Sequence, residues 1–200
     1  MIRVLSGVLA TTLLVLLPAA AAPAFDPAAT FRQGAFVISP EVGYGQQFDL
    51  EDKRVFSDVE LVNAGVRLGW LPFAPAGPGP LHGALEVGLE PLYQRYLEPH
   101  DAFFAGLGAT ARYHFLSLGR FVPYAEAAAF AGGTDLRIPE IDSDFTFLLF
   151  AGVGASVFVT DRTALYAGYR WQHVSNGNTD QPNRGFESHT GVVGVSFFFQ

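Results

Sequence analysis

Along most of this 200-residue chain, apolar and small-or-polar residues alternate one by one, a period of two. Side chains on a strand point alternately to opposite faces, so this period predicts strands with one greasy face and one polar face. The cleanest segment runs from Phe103 to Phe115. Phe103, Ala105, Leu107, Ala109, Ala111, Tyr113 and Phe115 share one parity, while Gly106, Gly108, Thr110, Arg112 and His114 share the other. The same pattern marks 36–44, 62–70, 84–93, 145–159, 165–175 and 188–200. Val122 to Ala131 alternates weakly and is rich in alanine, so a helix competes with a strand there. Polar or Pro/Gly-rich connections separate these segments at 46–58, 71–83, 98–101, 117–120, 132–144, 160–163 and 176–186.

Eight strands of about ten residues predict one all-β domain, an eight-stranded antiparallel β-barrel. The distribution of charge decides which way it faces. Arg67, Glu86, Glu90, Arg112, His114, Glu126 and Arg170 all fall on the small or polar face, and the opposite face is continuously apolar. A soluble barrel packs large apolar residues inside. Charges facing a narrow lumen can pair with one another, whereas facing lipid they could not. The pattern therefore predicts a transmembrane barrel, and Tyr44, Trp70, Tyr93, Tyr113, Tyr169 and Trp171 suit its interfacial girdles.

The first residues agree. Arg3, the apolar run from Val4 to Leu17 and Ala22-Pro23-Ala24 read as a secretory signal over 1–24, leaving 25–200 as the barrel. No apolar run long enough for a membrane helix follows. Net charge is −7 and cysteine is absent; this excludes thiolate chemistry and makes nucleic acid an unsuitable partner. With both termini at the periplasm, the 46–58, 132–144 and 176–186 connections fall outside and the short 117–120 and 160–163 turns inside. The 71–83 connection is longer than a periplasmic turn should be.

Candidate chemistry sits at one strand end. His173 and Ser175 continue the apolar parity of Tyr169 and Trp171, and Glu187 shares the parity of Val193 and Phe197 in the next strand. Imidazole, hydroxyl and carboxylate are the groups of a serine nucleophile, its base and the residue that orients the base. All three are expected on the lipid-facing wall, near the outer leaflet. A plainer reading makes them interfacial polar residues at a strand end. His189 lies on the same face, two residues beyond Glu187, as a competing base. The other histidines have no metal-ligand spacing, the lumen charges read as structural, and Asp49 to Arg54 reads as a solvated loop.

The segments His173-Val174-Ser175-Asn176, Gln181-Pro182-Asn183 and Gly185-Phe186-Glu187-Ser188 resemble the signature of the lipid A 3-O-deacylase family, the PagL-type outer-membrane barrels. The resemblance covers about fifteen residues. It implies an eight-stranded barrel that removes the ester-linked acyl chain at position 3 of lipid A, with lipopolysaccharide as substrate. It also implies His173 as general base, Ser175 as nucleophile and Glu187 as the group orienting the imidazolium. Asn176 would help hold the oxyanion, together with backbone at Gly177. The glycine expected three residues after the serine is here Asn178. Ester hydrolysis of this kind requires no metal or cofactor. The competing function is a non-enzymatic outer-membrane barrel that binds the envelope or surface partners, and a third is a soluble lipid-binding barrel. A homodimer is left open.

Overall fold

The computed structural model describes residues 25–48 and 57–200. The signal-peptide reading of 1–24 and the solvated-loop reading of Asp49 to Arg54 lie outside the described residues. Eight antiparallel strands close a barrel: β1 (Phe36–Phe48), β2 (Glu60–Trp70), β3 (Gly83–Glu98), β4 (Ala102–Phe115), β5 (Phe121–Thr134), β8 (Phe145–Phe158), β9 (Thr163–Ser175) and β10 (Phe186–Phe199). β6 (Arg137–Ile138) and β7 (Ile141–Asp142) form a small separate hairpin within the β5–β8 connection. Each barrel strand pairs with its neighbour, and β10 returns to β1 to close the ring, with Phe36 opposite Phe199 and Phe48 opposite Glu187.

Closure gives every strand two hydrogen-bonded neighbours and leaves no open edge, which is what hydrocarbon demands. The alternation sorts side chains as the sequence predicts. Leu107, Val153 and Leu165 are more than half exposed on the outer wall, while Arg67, Arg112 and Arg170 are almost fully enclosed in the lumen. The exterior is apolar and the buried charges of the strands are confined to the lumen, the arrangement of a membrane barrel and the inverse of a soluble one.

The lumen is filled in three layers. At its middle, Arg170 binds Glu41 and Glu126, with Arg170 Nε 2.8 Å from Glu126 Oε1. Arg67 reaches Glu90 at 3.2 Å and Glu41 at 3.3 Å, and Arg112 reaches Glu126 at 2.8 Å. His114 adds a 2.8 Å contact with Glu86. Ion pairs enclosed in this way hold strands from opposite sides of the barrel in register, because breaking one strands its partner without solvent. Glu41 was not among the predicted lumen charges, although it shares the parity of Ser39 against Val42 and Tyr44.

An apolar layer closes each end. At the end where β1 begins and β10 finishes, Phe31, Leu71, Val122, Phe158 and Phe198 pack together. Phe31 follows a single helical turn, α1 (Pro27–Thr30), which is capped by the Asp26 carboxylate and plugs that end. The long 71–83 connection begins against this plug. Leu71 N–H donates to Ala35 O at 3.0 Å and Gly34 N–H to Leu71 O at 2.8 Å, which ties the start of the connection to the segment after α1. Its far part is held on the end of β4 by Ser117 Oγ donating to Gly79 O at 2.9 Å and Leu116 N–H donating to His82 O at 2.9 Å. The second apolar layer, at the opposite end, includes Leu61, Tyr96, Phe104, Phe130, Val174 and Phe186.

The alanine-rich segment is a strand, not a helix. β5 pairs along both edges, with Glu126 opposite Arg112 on β4 and opposite Gly152 on β8. Cross-strand pairing overrides the helix preference of Ala127 to Ala129.

Candidate active site

β9 and β10 bring the three candidate groups to one patch of the outer wall. Their register sets Glu187 directly opposite His173, and the β8–β9 register sets Leu149 opposite His173 and Phe147 opposite Ser175. A directly opposed pair on one sheet face has its Cβ atoms about 5 Å apart, within reach of a hydrogen bond between long side chains. His173 Nδ1 stands 3.0 Å from Glu187 Oε1. A carboxylate only accepts, so the proton sits on Nδ1 and the lone pair of a neutral ring is left at Nε2. The ring is braced by Trp171, nearly parallel to it with centroids 6.3 Å apart.

Ser175 ends β9 two residues further along the same face. Its hydroxyl has no hydrogen-bond partner among the described residues, and no bond to His173 is formed in this structure. Its neighbours are the Phe147 ring across the ladder and the backbone of Gly185. A Cβ built on Gly185 would lie 3.1 Å from His173 Cε1, 3.4 Å from Ser175 Cβ and 2.7 Å from Val174 O. Only a residue without a side chain lets this backbone lie against both groups at once, and its φ of +65° is a conformation that also favours glycine. Gly185 belongs to the matched segment, but the sequence assigned it no role.

Asn176 departs from its expected place. It is fully buried. Its N–H donates to Asn183 Oδ1 at 2.8 Å, and its Nδ2 donates to Asp180 O at 3.1 Å and Pro182 O at 3.5 Å. Its Oδ1 accepts from Asn178 N–H at 3.0 Å. Every donor of Asn176 is therefore engaged inside the 176–185 loop, and none is presented to the outer face. The residue folds the loop instead. Gly177, by contrast, is exposed with a φ of +65°, and its position lies against the Phe147 ring beside Ser175. Its N–H has no partner among the described residues. Asn178 stands where glycine was expected and adopts a φ of +63°, which asparagine tolerates better than most residues.

His189 is differently employed. Its Nδ1 meets the Tyr169 hydroxyl, and its ring stacks on Phe48 with centroids 3.7 Å apart. No group of three or more His, Asp or Glu side chains among the described residues is arranged to hold a metal ion.

A model of the family described as lipid A 3-O-deacylase (PagL) matches residues 63–196, two thirds of the chain and a span that contains His173, Ser175 and Glu187. The chain belongs to the lipid A 3-O-deacylase family. Among solved structures it is similar to the outer membrane enzyme PagL, at 17% identity and a TM-score of 0.58, over 79% of this chain and 97% of that one. It is equally similar to Neisserial surface protein A (NspA), at 18% identity and a TM-score of 0.58, over 84% of this chain and all of that one. At these identities the two likenesses establish the outer-membrane barrel fold and no more. No curated protein matches the chain in sequence.

Proposed function

We infer that this barrel is a lipid A 3-O-deacylase in which Ser175 is the nucleophile, His173 the general base and Glu187 the group that orients and stabilises the imidazolium. The observation that carries the reading is the 3.0 Å His173–Glu187 pair, facing out on an apolar wall beside a serine whose hydroxyl is otherwise uncommitted. A carboxylate and an imidazole on such a surface are costly unless they pair. A structural role would not require an unbonded hydroxyl next to them.

The chemistry follows from the geometry. Ser175 Oγ attacks the ester carbonyl carbon while His173 Nε2 takes its proton, and Glu187 stabilises the charge that develops on the ring. The carbonyl oxygen becomes an oxyanion. Gly177, exposed and next to the serine's strand end, offers a backbone N–H for it, in a turn held by Asn176 and Asn183. Collapse breaks the bond to the sugar oxygen, which takes the proton back from His173. Water, deprotonated by the same imidazole, then cleaves the acyl-serine and releases the fatty acid. The serine–imidazole bond that the step needs closes with substrate in place, as catalytic hydrogen bonds commonly do.

Two features support a membrane-borne substrate. The trio lies at the barrel end opposite the start of β1 and the finish of β10, which a periplasmic placement of that end sets at the outer leaflet. Below it, Tyr169, Ala167 and Leu165 on β9 and Val193 and Val195 on β10 form an apolar wall along which acyl chains can lie without a closed pocket. The test is release of a 3-hydroxy fatty acid from lipopolysaccharide by the wild type and by Ser175→Ala. Release by the wild type alone is expected. Equal lipid A acylation in the two returns the chain to a non-enzymatic surface barrel.

A further inference from the structure

Glu140 occupies the turn of the β6–β7 hairpin, where a glutamate is ordinarily solvated, yet it is only 1% exposed. Its carboxylate receives three hydrogen bonds. Oε1 accepts from Gln47 Nε2 at 3.1 Å and from Ser57 N–H at 2.9 Å, and Oε2 accepts from Ser57 Oγ at 2.5 Å. Gln47 is itself fixed, because its Oε1 accepts from Val59 N–H at 2.9 Å. The side chain thus anchors the hairpin to the end of β1 and to the residues entering β2.

The main chain of the same residue faces the other way. Glu140 O accepts from Arg184 N–H at 2.8 Å and Gly185 N–H at 3.1 Å. Asp142 N–H donates to Pro182 O at 3.4 Å, and Ile141 bridges Asn183. The 182–185 segment is therefore laid along the hairpin, and Gly185 at its end is the backbone that touches the flanks of His173 and Ser175. Asn183 extends the connection to the turn after the serine, since its Oδ1 takes the Asn176 N–H and its Nδ2 donates to Asn178 Oδ1 at 3.0 Å.

We propose that Glu140 is a positioning residue for hydrolysis, clamping the 182–185 wall against His173 and Ser175 by bridging it to β1 and β2. The proposal rests on the deacylase reading for its kinetic consequence, though not for the clamp itself. A carboxylate suits the position because it accepts three donors at once, and bonds to an ionised acceptor are stronger than those to a neutral one. Glutamine of the same shape keeps an oxygen for Gln47 Nε2 and the Ser57 N–H, and it offers an N–H to Ser57 Oγ. Alanine keeps nothing. Loss of the clamp loosens a wall rather than a substrate contact, so it acts on turnover and not on binding.

The experiment uses the full chain in detergent micelles as wild type, Glu140→Ala, Glu140→Gln and the milder Ser57→Ala. It measures kcat and KM for fatty-acid release from purified lipopolysaccharide, alongside amide hydrogen exchange of the 182–186 segment. Glu140→Ala is expected to lower kcat by about tenfold or more, consistent with sub-ångström misplacement of reacting groups, with KM within about twofold. Exchange of 182–186 accelerates in parallel. Glu140→Gln restores kcat to within about threefold of wild type, and Ser57→Ala falls between the two. An unchanged kcat in Glu140→Ala, a rise in KM alone, or a Gln variant as impaired as Ala overturns the proposal. If Glu140→Ala fails to fold, a Ser57→Ala chain with wild-type kcat and exchange overturns it. If the wild type releases no fatty acid, the deacylase reading fails. Exchange then decides the clamp alone: faster in Ala but not in Gln upholds it, and unchanged in both overturns it.

Discussion

Replacing Gly185 with alanine strikes the site from its backbone side. Two effects separate cleanly. The first is conformational: Gly185 has a φ of +65°, and an L-residue forced into the left-handed region costs roughly 1–2 kcal/mol of stability. The second is local. The new Cβ would stand 2.7 Å from Val174 O, where ordinary contact begins at 3.4 Å, so the gap must open by about 0.7 Å. Val174 is the residue between His173 and Ser175, and the same Cβ lies 3.1 Å from His173 Cε1. Any relaxation therefore moves base and nucleophile relative to each other. Since a misplacement of about 1 Å can remove some 10²-fold of rate, Gly185→Ala is expected to lower kcat by about 10- to 100-fold. Gly119, in the β4–β5 turn at the opposite end, supplies the control. Its φ is +62°, and nothing lies within 4 Å of a Cβ built there. Gly119→Ala thus bears the conformational cost without the clash. Heat-modifiable migration on gels reports folding, and fatty-acid release from lipopolysaccharide reports turnover. Comparable activity in the two variants would refute the contact argument, whichever way their stabilities fall.

Three further outcomes follow from the same geometry. Glu187→Gln keeps nucleophile and base but removes the charge opposite the imidazolium, so release should fall by about 10²-fold, less than in Ser175→Ala, as measured by initial rates. His189→Gln should leave release within about twofold of wild type, because that ring is occupied by Tyr169 and Phe48; a loss comparable to that of His173→Ala would make His189 the base. Arg170→Met removes the guanidinium that Glu41 and Glu126 share, leaving Glu41 to Arg67 and Glu126 to Arg67 and Arg112, and should destabilise the barrel by about 3 kcal/mol. Denaturant unfolding in micelles measures this, and a midpoint equal to wild type would show that the lumen network is not what holds the strands in register.

Much of this architecture was legible in the chain, because a lipid-facing wall writes itself into sequence. Each outward position must be apolar and each lumen position small or charged, so Phe103 to Phe115 declares both its strand and its faces. The register that opposes His173 and Glu187 was less open to reading, since the 176–185 loop between them sets no fixed pairing by its length. What was hidden has a physical reason in each case. Ala127 to Ala129 carry no amphipathic contrast, so only pairing with β4 and β8 makes them a strand. A single turn such as α1 is too short to show a helical period, and Phe31 alone cannot announce that it plugs a barrel. Glu140 looks like a solvated loop residue, and Asn176 had only the oxyanion role that the resemblance implies. Their burial comes from partners far along the chain or from a folded turn, and no local pattern encodes either. Asn176 is the clearest correction: it was expected to face the oxyanion, and its donors close the loop instead.

Mass spectrometry of lipid A from cells expressing the wild-type chain or Ser175→Ala, with equal amounts of heat-modifiable barrel in the outer membrane, tests the central claim most directly. Hydrolysis at the 3-position predicts that only the wild type yields lipid A lighter by one 3-hydroxyacyl chain. Identical spectra from the two would contradict it.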